Sequence, residues 1–158
     1  MAEDKDKGRK LIASNRRARF DYELLDRFEA GIVLHGPEVK SLRAGRANLS
    51  DAYASVRKGE LWLVSAHISP YEQAGRENDE PRRDRKLLMH RNEIARLRGK
   101  IEEKGLTLVP VSLYWKDGRA KVELALARGK RRHDKRHAIR DREEKRDVDR
   151  ALNDSRRR

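Results

Sequence analysis

The sequence predicts a mainly β protein: a small antiparallel β-barrel with two or three helices, followed by a basic tail that has no core of its own. Three observations carry this. Between residues 11 and 127 the apolar residues recur with period 2 in short runs. Several of those runs pair across glycine-containing turns, as hairpins do. The last stretch, 128–158, replaces apolar side chains with charge. Across all 158 residues, 42% are charged and 36% apolar, against roughly 25% and 45–50% in an average domain. Either the chain is short of core material or part of it has none.

The first ten residues, "MAEDKDKGRK", are charged and predicted to be flexible. In "RFDYELL", Phe20, Tyr22 and Leu24 alternate with Asp21, Glu23 and Leu25, which predicts a half-buried strand. "EAGIVL" (29–34) is β-branched and predicts a second strand. "GPEVKSLRAG" predicts a short helix: Pro37 suits its first turn, Glu38 sits at the positive dipole end, Val39 and Leu42 face inward, and Gly45 ends it. "DAYASVRKGELWLVSAHI" predicts a hairpin turning near Gly59. The 17 residues "SPYEQAGRENDEPRRDR" then form a polar loop, and loops of that length are often functional. "KLLM" (86–89) predicts a short strand. In "NEIARLRGKIEEKG", Ile94, Leu97 and Ile101 share one helix face and Gly105 stops the helix. "LTLVPVSLYWKDGRAKVELALA" predicts a last hairpin around Asp117-Gly118. Val109, Val111, Leu113 and Trp115 alternate on one strand, and Val122, Leu124 and Leu126 on the other. About eight short strands and few crossovers favour an antiparallel barrel capped by helices, of which the OB-like barrel is one kind.

The net charge of +13 calls for an anionic partner. No run of 18 apolar residues and no long basic amphipathic face exists, so a membrane is not expected. The N-terminus has no apolar segment of a secretory signal, and a cytoplasmic location is expected. There is no cysteine, hence no disulfide and no thiolate metal site.

The charge is uneven. Residues 128–158 hold 14 Lys+Arg and 7 Asp+Glu, about half the surplus of the whole chain. As a helix, this tail would place Ile139 and Val148, nine positions apart, about 180° from each other. It has no stripe to pack, and cannot offset an ordering cost of about 1–2 kcal/mol per residue. The expectation is a tail disordered when free and helical once an anionic surface neutralises its arginines.

No nucleophile elbow, P-loop or dinucleotide-binding glycine motif occurs, and no catalysis or cofactor is expected. His133 and His137 have the i, i+4 spacing of zinc ligands. Arg132, Lys135 and Arg136 surround them and no third His or Cys lies near, so metal binding is not expected either. Arg16, Arg17 and Arg19 follow Asn15 in "NRRARF"; they read equally as solubilising edge charge or as phosphate contacts. Lys40, Arg43 and Arg46 lie at helical spacing, and "PRRDRK" (81–86) is a charge run in the long loop. Each fits either a solvated face or an RNA contact. Trp62, Tyr114 and Trp115 fall in strands, where a core role is favoured over base stacking.

"SNRRARFDYEL", "FEAGIVLHGPEVKSLRAGRANLSDAY", "RKLLMHRNEI", "LVPVSLYWKDGRAKVELALARGK" and "HDKR" together resemble the SsrA-binding (small protein B, SmpB) family from about Ile12 to Leu152. The resemblance implies an OB-like barrel over 11–127 and a tail over 128–158 that is unstructured when free. It implies a non-catalytic adaptor that binds the tRNA-like domain of transfer-messenger RNA and delivers it to stalled ribosomes. The tail then occupies the decoding centre and the empty mRNA channel. Elongation factor Tu and alanyl-tRNA synthetase would engage through the RNA, and a monomer is expected. By position, Asn15, Glu29 and Leu88 match residues tied to RNA binding. Gly129, Lys130, His133, Asp134, Lys135 and Arg136 match the segment tied to the decoding centre, with Arg131 and Ile139 included in it here. Some family members place an aromatic near the position of Glu144; this chain has "REEKR" there.

Overall fold

The structure is a computed structural model that describes residues 8–130, 146 and 150. The chain divides into two units at Arg128, and the elements given below belong to the first, Met1–Arg128, with only Gly129 of the last strand beyond it. In chain order the elements are β1 (Arg9–Ser14), α1 (Arg16–Asp21), β2 (Tyr22–Ile32), α2 (Gly36–Arg43), β3 (Ala47–Asn48), β4 (Tyr53–Arg57), β5 (Glu60–Val64) and β6 (His67–Ile68). A 3-10 helix (Glu72–Glu77), β7 (Arg85–Leu88), α3 (Arg91–Lys104), β8 (Thr107–Lys116) and β9 (Arg119–Gly129) follow.

Six strands close a ring in the order β8, β4, β5, β7, β2, β9 and back to β8. Strand β8 makes this possible by sharing one edge. Its start pairs with β4 (Ala54 opposite Leu108), and its second half pairs with β1, from Ser14 opposite Ser112 to Arg9 opposite Lys116. The other edge of β8 takes β9 along its whole length, from Thr107 opposite Ala127 to Lys116 opposite Arg119. A small second sheet pairs β3 with β6.

Both predicted hairpins form, with two-residue turns whose central residues have positive φ: Lys58 (52°) with Gly59 (77°), and Asp117 (52°) with Gly118 (76°). That is the primed-turn geometry that matches strand twist. Helix α3 ends at Gly105 in the left-handed region (φ 62°), whose N–H bonds back to Ile101. Leu61, Leu63, Leu87, Leu108, Leu113, Val122, Leu124 and Leu126 fill the barrel, and Leu42 of α2 with Ile94 and Leu97 of α3 close over it. Among the described residues, no helix is long and apolar enough to cross a membrane.

Four expectations need correction. Arg9 and Lys10 are not loose; they open β1. Phe20 lies in α1 rather than in a strand, because Asn15 caps a helical turn there: its side-chain oxygen accepts from Ala18 N–H at 3.1 Å. The two strands expected over 20–34 are one strand of 11 residues. The alternating set on β8 splits between two faces. The register shifts between Pro110 and Ser112, so Leu108 and Leu113 share the barrel interior. Val109 instead joins Ala18 and Ala127 in a small outer cluster under α1. Proline has no N–H for the ladder, and the irregularity sits beside it.

Candidate nucleic-acid interface

Strand pairing sets the site. Arg9 of β1 lies opposite Lys116 of β8, which lies opposite Arg119 of β9. One step along the same face, Leu11 lies opposite Tyr114, and Tyr114 opposite Lys121. Trp115 packs against the barrel core, so Tyr114 and Lys116 lie on the opposite side of β8, where Tyr114 is covered and only 3% exposed. Four cations from three strands thus share one outer face.

Glu29 of β2 reaches into this face. Its carboxylate accepts a short hydrogen bond from the Tyr114 hydroxyl, one from Arg9 Nη2 at 3.1 Å, and long contacts from Lys116 Nζ at 3.4 and 3.5 Å. The Arg9 guanidinium lies over the Tyr114 ring, 4.7 Å from its centroid. Burial alone would raise the carboxyl's pKa. The Tyr114 and Lys116 hydrogen bonds and the charges of Lys116 and Arg9 outweigh it and hold Glu29 below its ordinary 4.5. The same partnership, with burial as the larger cause, pushes the Tyr114 phenol up, so it stays a donor. Among the described residues, no carboxylate pairs with Arg119 or Lys121.

Next to this face, at the end of the barrel, is a cleft of about 330 Å³. Leu34, Val39, Leu88 and Trp115 give it apolar walls, and Arg43, Arg119 and Lys121 line its rim. Leu88 is 52% exposed although it lies in a strand. Its partner across the ladder is Gly31, where an added Cβ would come within 3.3 Å of Leu88 Cβ. The glycine lets that side chain lie across the neighbouring strand.

The fold therefore brings Glu29, Arg43 and Leu88 onto adjoining surfaces and places the other sequence candidates elsewhere. Asn15 is 3% exposed; both amide protons are donated internally, to Leu49 O at 3.0 Å and Pro110 O at 2.9 Å. It holds the β1–α1 junction against β8. Arg16, Arg17 and Arg19 ride on α1, and Arg17 bonds Asp21 and Asp51. Lys40 is engaged with the 3-10 helix side, its ammonium 5.2 Å from the centre of the Tyr71 ring. Gly129 ends β9 and Lys130 follows it; Arg131, His133, Asp134, Lys135, Arg136, Ile139 and Glu144 lie outside the described residues.

The loop arginines of "PRRDRK" are engaged within the protein. Arg82 bonds Asp51, and Arg83 bonds Glu38. Arg85 is fully buried, with Nε on Glu38 at 2.5 Å and its other nitrogens on the carbonyls of Ala66, Pro81 and Arg83. Glu38, 5% exposed, also accepts from His35 N–H at 2.9 Å. His35, Glu38 and Asp79 cluster closely enough to suggest a cation site. Two guanidiniums already occupy the Glu38 oxygens, and the His35 ring bonds Asp79 at 2.6 Å, so the donor set does not fit a metal. Residues that sequence reasoning overlooked are Arg9, Lys116, Arg119 and Lys121. The alternation of "KDGRAK" across its turn was the available signal.

The family model "SmpB protein" matches residues 12–154. The chain belongs to the SmpB family. The SsrA-binding protein of Acidothermus cellulolyticus is 60% identical over 148 residues, 94% of this chain and 93% of that protein. That of Frankia casuarinae is 59% identical over 145 residues, 92% and 91% of the two chains. A chain of the solved structure "tmRNA-SmpB: a journey to the center of the bacterial ribosome" is similar with a TM-score of 0.66 at 53% identity, covering 81% of this chain and 94% of that one. The SmpB match spans both the barrel and the segment beyond it.

Proposed function

We propose that this protein is a non-catalytic adaptor of trans-translation. Its barrel binds the tRNA-like domain of transfer-messenger RNA and carries it to ribosomes stalled on broken messages. The observation that carries this is the outer face of Arg9, Lys116, Arg119 and Lys121 beside an apolar cleft. Cations in that arrangement suit a phosphate backbone, and the cleft suits an exposed base or ribose. Relatives described as SsrA-binding proteins and a similar tmRNA-SmpB structure support the reading. The segment 129–158 enters the decoding centre and the empty mRNA channel. Elongation factor Tu and alanyl-tRNA synthetase act through the RNA, and the protein works as a cytoplasmic monomer.

Deleting residues 129–158 separates the two parts. Specific binding to the tRNA-like domain should survive, while tagging of nascent chains on stalled ribosomes should be lost. Equal loss of both would refute this division. Binding should also weaken steeply with salt, since each phosphate contact releases counterions.

A further inference from the structure

Glu29 poses a problem for an RNA-binding face: a carboxylate there should repel phosphate. Its surroundings give it a different task. One oxygen, Oε2, takes both the Tyr114 hydroxyl and Arg9 Nη2, while Oε1 faces Lys116. Oε2 is thus filled, and the Lys116 ammonium stands in front of Oε1. The two cations are not used up in the same way. Arg9 has five N–H donors, and its bond to Glu29 uses one. Its Nε is buried without a hydrogen-bond partner, so the donors left for a ligand are those of the terminal Nη atoms, on a side chain 26% exposed. The Lys116 ammonium stands at 3.4–3.5 Å from Glu29, the distance of a charge contact more than of a filled hydrogen-bond shell. Two cations around one carboxylate leave a net positive charge. The strands fix its location, because Arg9 and Lys116 are directly opposite each other in the β1–β8 ladder.

We propose that Arg9 and Lys116 form a fork for one backbone phosphate of the RNA. Glu29 is the post that sets their spacing, and Tyr114 is the positioning residue that holds Glu29. This rests on the RNA-binding reading above and adds to it the ligand group and the role of each residue. Glu29 touches no phosphate. Arg9 is held by the Tyr114 ring as well as by Glu29, so β1 contributes to binding even though it lies outside the closed ring of strands.

The sign of one substitution separates this from simple electrostatics. Removing a negative charge next to RNA should tighten binding; removing a post should weaken it. Binding of the full-length protein to the tRNA-like domain would be measured from about 50 to 200 mM salt, with melting temperature as the fold control. Glu29→Gln and Tyr114→Phe are each expected to weaken binding, and the double variant no more than the stronger single one. Tyr114→Phe keeps the ring under Arg9 and removes only the hydroxyl. Arg9→Ala and Lys116→Ala should each lower the salt slope by about one, and the pair together by about one, since one phosphate is shared. Arg96→Ala, on an exposed face of α3, should change nothing. Unchanged slopes for both Arg9→Ala and Lys116→Ala would overturn the fork. So would Glu29→Gln binding as tightly as wild type, or tighter. If wild-type protein shows no preference for the tRNA-like domain over random duplex, the RNA reading fails first, whatever the variants do.

Discussion

Glu29 and Glu38 are two glutamates with the same chemistry and opposite uses. Both accept hydrogen bonds from arginine, and both are held below the ordinary carboxyl value of 4.5 against a burial effect that would raise them. Glu38 is 5% exposed, and its partner Arg85 spends its donors on Glu38 and three carbonyls. That pair is closed, and it ties α2 to the strand β7. Glu29 keeps about a third of its side chain in solvent, and its cations retain free donors. Exposure, rather than residue type, separates a closed brace from an open cationic face.

The largest expected effect tests the brace. Glu38→Gln leaves the buried Arg85 without its counter-charge, and breaking a buried pair from one side typically costs about 3–5 kcal/mol. Denaturant melts should show a loss of that order, whereas Glu29→Gln should cost under about 1 kcal/mol, because partly exposed pairs are screened. If both cost the same, the contrast drawn from burial is wrong. Asn15→Ala comes next. It removes a helix cap and the side-chain donor to the Pro110 carbonyl, while Leu49 O keeps its bond from Ala52 N–H, for an expected loss of about 1–3 kcal/mol. Weaker RNA binding in that variant should track the lost fold, and should recover when binding is measured at low temperature.

The smallest effect is on pH. Both carboxyls have folded pKa values below 4.5, so their stabilisation is present above that value and is lost as pH falls through the folded values. Wild-type stability should therefore drop on acidification below about pH 4.5. Glu38→Gln should flatten most of that drop in an acid melt series, and Glu29→Gln less. A wild-type curve as flat as that of Glu38→Gln would remove the argument.

The features legible in the sequence were local. Lys58-Gly59 and Asp117-Gly118 announced their turns because positive φ restricts which residues can stand there. Gly105 announced the end of α3 for the same reason. The helix α1 was half legible. Asn15 is a good cap, but the alternation of Phe20, Tyr22 and Leu24 suggested a strand, and a helix of six residues offers too few positions to show its own period. Pairings distant in sequence left no local trace. Glu38 and Arg85 are 47 residues apart and Glu29 and Tyr114 are 85 apart, so a charge run such as "PRRDRK" looked solvated until the fold supplied partners. Glu29 and Leu88 were reached through family resemblance, whereas Arg9, Lys116, Arg119 and Lys121 became visible only through strand register.

Strand β8 also sets an order of events. It touches β1, β4 and β9, yet it begins at Thr107, after most of the fold has been synthesised. Until it emerges, β4 lacks a neighbour on one side and β1 has none, so their backbone groups stay open to foreign strands. Ring closure is thus the last step available to a growing chain. A product that stops short of Thr107 lacks three of the four cations of that face, Lys116, Arg119 and Lys121, as well as the closed barrel.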